Sequence, residues 1–539
     1  MPRSYGTDRP ARWHLVYLRK RHIRRALRLL FRPLGTVDTT RAGASPEQTS
    51  RSTKGNPMNH GQAVDRDLLL AGQQRLDARG PRLTGSPSHH AVVEEVANEL
   101  TELGLEVRRD SHTFERWDLP ATSDGLRIEL PTGPIKVSSA FPYSGLTGPQ
   151  GVSAPLVHVS ARRPKWSLAK GAIAVIEVPH IDLPRKLLVS EWGPIATDET
   201  LRNPVLSATL LGPKLDKARK AGVLGVIAVW RDIAPDNALG QYLPFTQPYH
   251  DIPAVWVAGD EGRKVVAAAR SGQRATLVLD ATLHPDTRTD TVWAVSPGTS
   301  PEETILLITH SDGTNGVEEN GHLGMLALAR HAVAQPHRRS YVFVLTTGHL
   351  RIPAVSKHGQ ATSTWLEAHP EMWNGEDGQA RAVAGIAIEH LGALGDTENT
   401  STGSYSLETT PEPELLYATS REVHDIVAPL WRDIGAGDRR IVAPGPVIHF
   451  GEGEPLFERK IPAVALVTAP QYLLALRDAD TVTHVDLDAM VKQVESFRDL
   501  LDAFDATDTA AFGPVVSRSV FAKFSALLQL MQILSKAKK

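Results

Sequence analysis

An unbroken apolar run that ends on a histidine limits the possible folds of this chain more than any other feature. Residues 302–324 read EETILLITHSDGTNGVEENGHLG. Ile305, Leu306, Leu307 and Ile308 are consecutive, the mark of a strand buried on both faces of a parallel sheet. His310 falls at the carboxyl end of that strand. Side chains alternate along a strand, so His310 and Asp312 are expected to point the same way, with the carboxylate orienting an imidazole that binds a metal. Glu318 and Glu319 follow within reach, just before a helix over about 321–334.

After residue 286 strands and helices alternate, with strands expected over 304–310, 341–347, 383–389 and 463–468. This alternation gives the fold class: α/β, a mostly parallel sheet with helices on both faces. Ligands of such sheets bind beyond the carboxyl ends of the strands, and His310, His349 and Glu389 all fall at such ends. Upstream, 68–107 reads as a helix, the loop GPRLTGS at 80–86, and a second helix with Ser86 or Ser88 as its N-cap. Over 137–285 the texture changes to short strands separated by Pro and Gly, a smaller β-rich module inserted between 63–136 and 286–507.

Zero cysteines exclude a disulfide framework, a thiolate nucleophile and a Cys-based zinc site, leaving His, Asp and Glu as metal ligands. A formal net charge of -2 excludes any overall attraction to nucleic acid. That average hides a basic arm. Residues 1–57 hold 13 Lys or Arg against 3 Asp or Glu, a balance of +10, so the rest of the chain is near -12 (-2 minus 10). We expect residues 1–62 to be a disordered extension, with a basic amphipathic stretch at 13–34 able to touch an anionic surface weakly, and Met58 as an alternative start. No run of eighteen apolar residues and no clean signal peptide appear, so a soluble, cytoplasmic protein is expected. At the other end, within 508–539, Val520, Phe524, Leu527, Met531 and Leu534 form a helical stripe, expected to dock on the core, with a homodimer contact or a membrane surface as the alternatives.

Together these features resemble the zinc aminopeptidases of the family that also contains glutamate carboxypeptidase and the transferrin receptor. The resemblance spans most of 63–505. The 80–86 loop looks like that family's amino-terminal segment, and KARKAG, GVIAVW and DIPAVWV look like its inserted protease-associated domain. The family's His-x-Asp matches His310 and Asp312. Its bridging Asp before a Gly-started helix matches Glu319, and its later Asp ligand matches Glu389. Where the family has two consecutive Glu residues, a general base and a ligand, this chain has Gly348 and His349. The last His, expected shortly before Asp480, is missing. Leu476 sits near that place and His484 is the nearest imidazole, while Glu452 and Glu454 replace the Asp-His of the family's last loop.

The resemblance implies zinc held by His310, Glu319, His349 and Glu389, with one ion rather than two because a ligand is missing. It implies peptide or small-amide hydrolysis, with Glu318 or Glu319 as replacement base and Asp312 supporting His310. A second reading stays open at this point: a binding or scaffold protein that kept the fold and lost the chemistry.

Overall fold

The apolar run at 305–308 is the centre of the protein in the computed structural model, which describes residues 64–538 apart from 121, 193–198, 246, 351–359, 437–439 and 477–483. The arm at 1–62 lies outside the described residues. All four side chains of the run are fully buried. Ile305 and Leu307 join a cluster with Leu323, Met325 and Leu326 of the helix Gly321–Val333. Leu306 and Ile308 face the other way and pack with Trp293, Val342, Val344 and Trp365. The period of two sends neighbouring residues into separate layers, which requires a sheet covered on both faces.

That sheet has nine strands, in the order Val107–Asp118, Thr282–Ser296, Arg339–Thr346, Ser300–His310, Arg381–Ala387, Ala463–Val467, Leu415–Ala418, Arg440–Pro444 and Val189–Glu191. Its middle is parallel. Ser300–His310 pairs with Arg339–Thr346 on one side and Arg381–Ala387 on the other, and Arg381–Ala387 pairs with Ala463–Val467. The chain thus leaves the central strand for one neighbour and later returns on the opposite side, and such a switch point forms a crevice beyond the strands' carboxyl ends. The four expected strands are present with small shifts at their ends. Glu389 lies two residues past its strand. Helices Arg66–Ala78 and Pro87–Glu102 bracket the 80–86 loop, and Ser86 caps the second by accepting from His89 N at 3.1 Å.

The inserted segment builds its own eight-stranded sheet with a parallel centre of Ile173–Pro179, Gly225–Arg231 and Ala254–Val257. It begins earlier than the expected residue 137, because Leu126–Leu130 pairs antiparallel with Arg274–Leu279 and with Gly133–Ile135. Glu398, on the hairpin strand Leu394–Asn399, ties this segment to the larger sheet's loops. It accepts from Ala234 N at 2.7 Å, Asn237 Nδ2 at 3.0 Å and Arg202 Nε at 3.1 Å. Burial opposes its ionisation, but the His180, Ala234 and Asn237 hydrogen bonds outweigh it and hold the carboxyl down to about 2. A depressed carboxyl adds stability above its unfolded value near 4.5 and loses it as pH falls toward 2. Glu398→Gln is therefore expected to flatten the acid limb of the stability curve in that window, read as urea midpoints. An unchanged limb would show that this carboxyl is not held.

The carboxyl-terminal helix, Val520–Ala537, docks on the protein with part of its expected stripe. Its buried residues are Ala526 and Leu530, with Ile533, Leu534 and Ala537 partly buried against the inserted segment. Of the expected stripe, Leu534 packs there, Leu527 and Met531 are half-buried, and only Val520 and Phe524 are exposed. Small Ala526 and Ala537 share that side with Leu530 and Ile533. No helix among the described residues is long and apolar enough to cross a membrane.

Candidate metal centre

Loops leaving three neighbouring parallel strands converge at the switch point. Ser300–His310 ends on His310, Arg339–Thr346 runs on to His349, and Arg381–Ala387 runs on to Glu389 and His390. Close approach of the next helix is possible because Gly321 begins it: a Cβ there would lie 2.1 Å from the Ile388 carbonyl oxygen.

His310 Nδ1 lies 3.0 Å from the Asp312 carbonyl oxygen, which can only accept, so the proton sits on Nδ1. Nε2 is left with its lone pair 3.8 Å from Glu389 Oε2 and without a hydrogen-bond partner. His390 is placed similarly, with Nδ1 2.9 Å from the Thr468 carbonyl oxygen and 3.3 Å from Thr468 N, and Nε2 3.8 Å from the same Glu389 oxygen. His390 also holds φ 55°, a left-handed conformation that non-glycine residues adopt at a cost and that clusters at functional sites. Burial, and then the charge of His349, keeps both rings neutral, His390 down to about 3. Ligand atoms of His310, Glu389 and His390 lie within 4.8 Å of one another. A neutral imidazole fixed through Nδ1 to a carbonyl, with Nε2 open, is the form in which histidine binds metals.

A second group of donors, His310, Glu318 and His349, meets the same spacing. The His310 and His349 rings stack with centroids 4.1 Å apart. His349 Nδ1 lies 2.8 Å from Glu452 Oε1, and Nε2 lies 3.5 Å from Glu318 Oε1. Burial alone would strip His349 of its proton, but the Glu452 hydrogen bond and the Glu318 charge outweigh it and raise the ring to about 10. The second group thus holds a charged ring, whereas in the first the His310 and His390 rings are neutral.

Two expected roles need correction. The Asp312 carboxylate does not orient His310; the residue's backbone carbonyl does. Its Oδ1 accepts from Gly348 N and His349 N, both at 3.2 Å, and Oδ2 from Leu350 N at 2.8 Å and from the Thr84 hydroxyl. Gly348, at φ 91°, sits in the region glycine favours and turns its N–H onto that carboxylate. Glu319, expected as a metal ligand, stands outside both groups. Backbone pairing of Arg82 with Gly313 (2.9 and 3.1 Å) carries the fully buried guanidinium onto Glu319 Oε1. Burial pushes Glu319 up to about 7 against the pull of Arg82. Glu318, not Glu319, faces His349.

His484 packs on Tyr472, ring centroids 4.9 Å apart, and belongs to neither group; Leu476 donates its backbone N–H to the Gly240 carbonyl at 2.9 Å. Residues 480–481 lie outside the described residues. Sequence reasoning passed over His390, although a histidine beside a candidate ligand just past a strand was a visible signal. Glu452 was seen only as a departure in its loop. It donates its backbone N–H to Glu389 at 2.6 Å and holds His349, so it joins the two halves of the site.

Five carboxylates, Asp312, Glu318, Glu319, Glu389 and Glu452, are buried here against the cations of Arg82 and His349. Burial lifts Glu318 well above the carboxylate range, and burial with the Glu452 charge lifts Glu389 to about 8. Glu318 Oε2 and His310 Nε2 have no hydrogen-bond partner. Buried carboxyl groups beside an unpartnered imidazole nitrogen are electrostatically incomplete, and a divalent cation would complete them. The nitrogen and oxygen donors suit zinc.

No protein-family description matches the chain, and no curated protein matches it. Solved structures do. An aminopeptidase from Aneurinibacillus sp. strain AM-1 is 16% identical with a TM-score of 0.52, over 80% of this chain and 93% of that one. A zinc aminopeptidase from Bacillus subtilis is 15% identical with a TM-score of 0.54, over 84% and 98%. A peptidase M28 precursor from Shewanella amazonensis is 16% identical with a TM-score of 0.58, over 85% and 96%. Because each likeness takes in nearly the whole of the known structure, the chain folds as the zinc aminopeptidases do.

Proposed function

We propose that this chain is a one-zinc hydrolase of peptide or related small amide bonds, with His310, Glu389 and His390 holding the ion. The carrying observation is the pair of neutral imidazoles whose Nε2 atoms face one Glu389 oxygen. When bound, the zinc supplies Lewis-acid polarisation of a carbonyl and of water. The chain supplies the proton handling. Glu318 Oε2 is unpartnered and, with its proton affinity raised by burial, suits a group that takes a proton from water and returns it to a leaving amine. His349, clamped by Glu452, fixes the other Glu318 oxygen. Asp312 fixes His349 through the 348–350 backbone, and Phe245 covers the His349 ring at 5.7 Å.

Glu318→Gln is expected to lower turnover of aminoacyl p-nitroanilides by about 10²- to 10⁴-fold with zinc content unchanged. Undiminished turnover would remove Glu318 from the reaction. Gly348 favours a second reading, a binding protein on a peptidase fold, because glycine offers no proton acceptor where the similar family has its base. That reading predicts no turnover of any aminoacyl substrate by the zinc-loaded wild type.

A further inference from the structure

Ser311, the residue between His310 and Asp312, is fully buried and meets a fully buried histidine 222 positions away: His89 Nε2 lies 2.8 Å from its Oγ. A serine beside an imidazole invites comparison with a nucleophile and its base. The hydrogen bonds exclude that role. Gly85 N–H, which can only donate, meets His89 Nδ1 at 3.0 Å, with the Thr289 hydroxyl 3.5 Å from the same atom, so Nδ1 carries the lone pair. Burial keeps the ring neutral by lowering its pKa to about 4, and its proton therefore sits on Nε2 and is donated to Ser311. The Ser311 hydroxyl in turn donates to the Thr346 carbonyl at 3.0 Å, as Ser311 N does at 2.9 Å. His89 takes no proton from Ser311; it pins the hydroxyl in place.

This chain of bonds crosses the strand ends that carry the metal centre. The ladder between Ser300–His310 and Arg339–Thr346 ends at the pair His310 and Thr346, so Ser311 is held past its end by Thr346 and His89. The same loop grips the next two residues: the Thr84 hydroxyl donates to Asp312, and Arg82 pairs with Gly313 through the backbone. His310 takes its ring orientation from the Asp312 carbonyl, so a twist of the 311–312 peptides turns the imidazole.

We propose that His89 is a positioning residue for the zinc site: through Ser311 it fixes the backbone whose carbonyl orients His310. This inference rests on the zinc-hydrolase reading of the site. Groups that orient a metal's ligands typically change affinity or activity by about 10- to 100-fold.

The test measures zinc affinity by chelator competition, and kcat and KM for an aminoacyl p-nitroanilide, on full-length variants shown by circular dichroism to be folded. His89→Gln places an amide N–H where Nε2–H stood; His89→Asn places an amide oxygen where Nδ1 stood and leaves Ser311 without its donor. The expected result is a loss of about 10- to 100-fold in zinc affinity for His89→Ala and His89→Asn, with kcat of the zinc-saturated variants lowered and KM unchanged. His89→Gln should recover most of both. Ser311→Ala should reproduce the loss, and His89→Ala added to it should cost nothing more. Equal zinc affinity in His89→Asn and His89→Gln, or losses from His89→Ala and Ser311→Ala that add, would overturn the inference while leaving the hydrolase reading intact. Should the His89 variants fail to fold, wild-type affinity in Ser311→Ala, a change of one heavy atom, overturns it alone. A wild type with no affinity for zinc would overturn the hydrolase reading, and this inference with it.

Discussion

Replacing His310 by alanine is expected to lower zinc affinity by more than about 100-fold and to abolish hydrolysis with it. Changing a residue that supports a metal's ligands typically costs about 10- to 100-fold in affinity, and loss of a direct ligand exceeds that. His310 is the residue on which both donor groups depend, so neither can form without it. The fold should survive, because the strand that carries His310 is held by the apolar residues on both of its faces. Zinc content after dialysis, measured beside circular dichroism, reads the two effects separately. A folded variant with wild-type zinc would refute the assignment. Glu319→Gln provides the contrast: zinc retention is expected, since Glu319 bonds to Arg82 and belongs to neither group.

Arg82→Met is expected to destabilise the protein by about 3–5 kcal/mol, the usual consequence of removing one partner of a buried ion pair. Both side chains are fully buried. The guanidinium also donates to the Leu76 carbonyl at 3.0 Å and to the Gly80 carbonyl, so its loss leaves acceptors of the 80–86 loop unsatisfied. Urea denaturation of the zinc-free protein gives the difference directly. The double variant Arg82→Met/Glu319→Leu should recover part of it, because no charge is then left buried. A single variant within about 0.5 kcal/mol of wild type would mean that water or another cation reaches Glu319.

What the sequence made legible follows from the range of the interactions involved. The apolar run at 305–308, the glycine that opens the next helix and the Ser86 cap are local signals, and each marks an element found in the structure. Strand ends at His310 and near His349 and Glu389 were legible for the same reason, as was a site at the switch point. Side-chain direction beyond a strand end was not. Glu318 and Glu319 are adjacent, and which of them faces His349 depends on Arg82, 237 positions away from Glu319, reaching it through a backbone bridge to Gly313. Asp312 likewise satisfies its carboxylate on the backbone of 348–350, a contact between two loops that no local pattern specifies. His390 gains its role from the Thr468 carbonyl, which fixes its ring. On the carboxyl-terminal helix the apolar periodicity was real, but the docked face runs through Ala526, Leu530 and Ile533 and takes only part of the expected stripe.

The central claim is that His310, Glu389 and His390 form a zinc site, and anomalous scattering at the zinc edge from crystals grown with the metal tests it most directly. The expected result is one peak within bonding distance, about 2.0–2.2 Å, of His310 Nε2, His390 Nε2 and a Glu389 oxygen. A peak coordinated by His349 and Glu318 in place of His390 and Glu389, or no peak at the switch point at all, would contradict it.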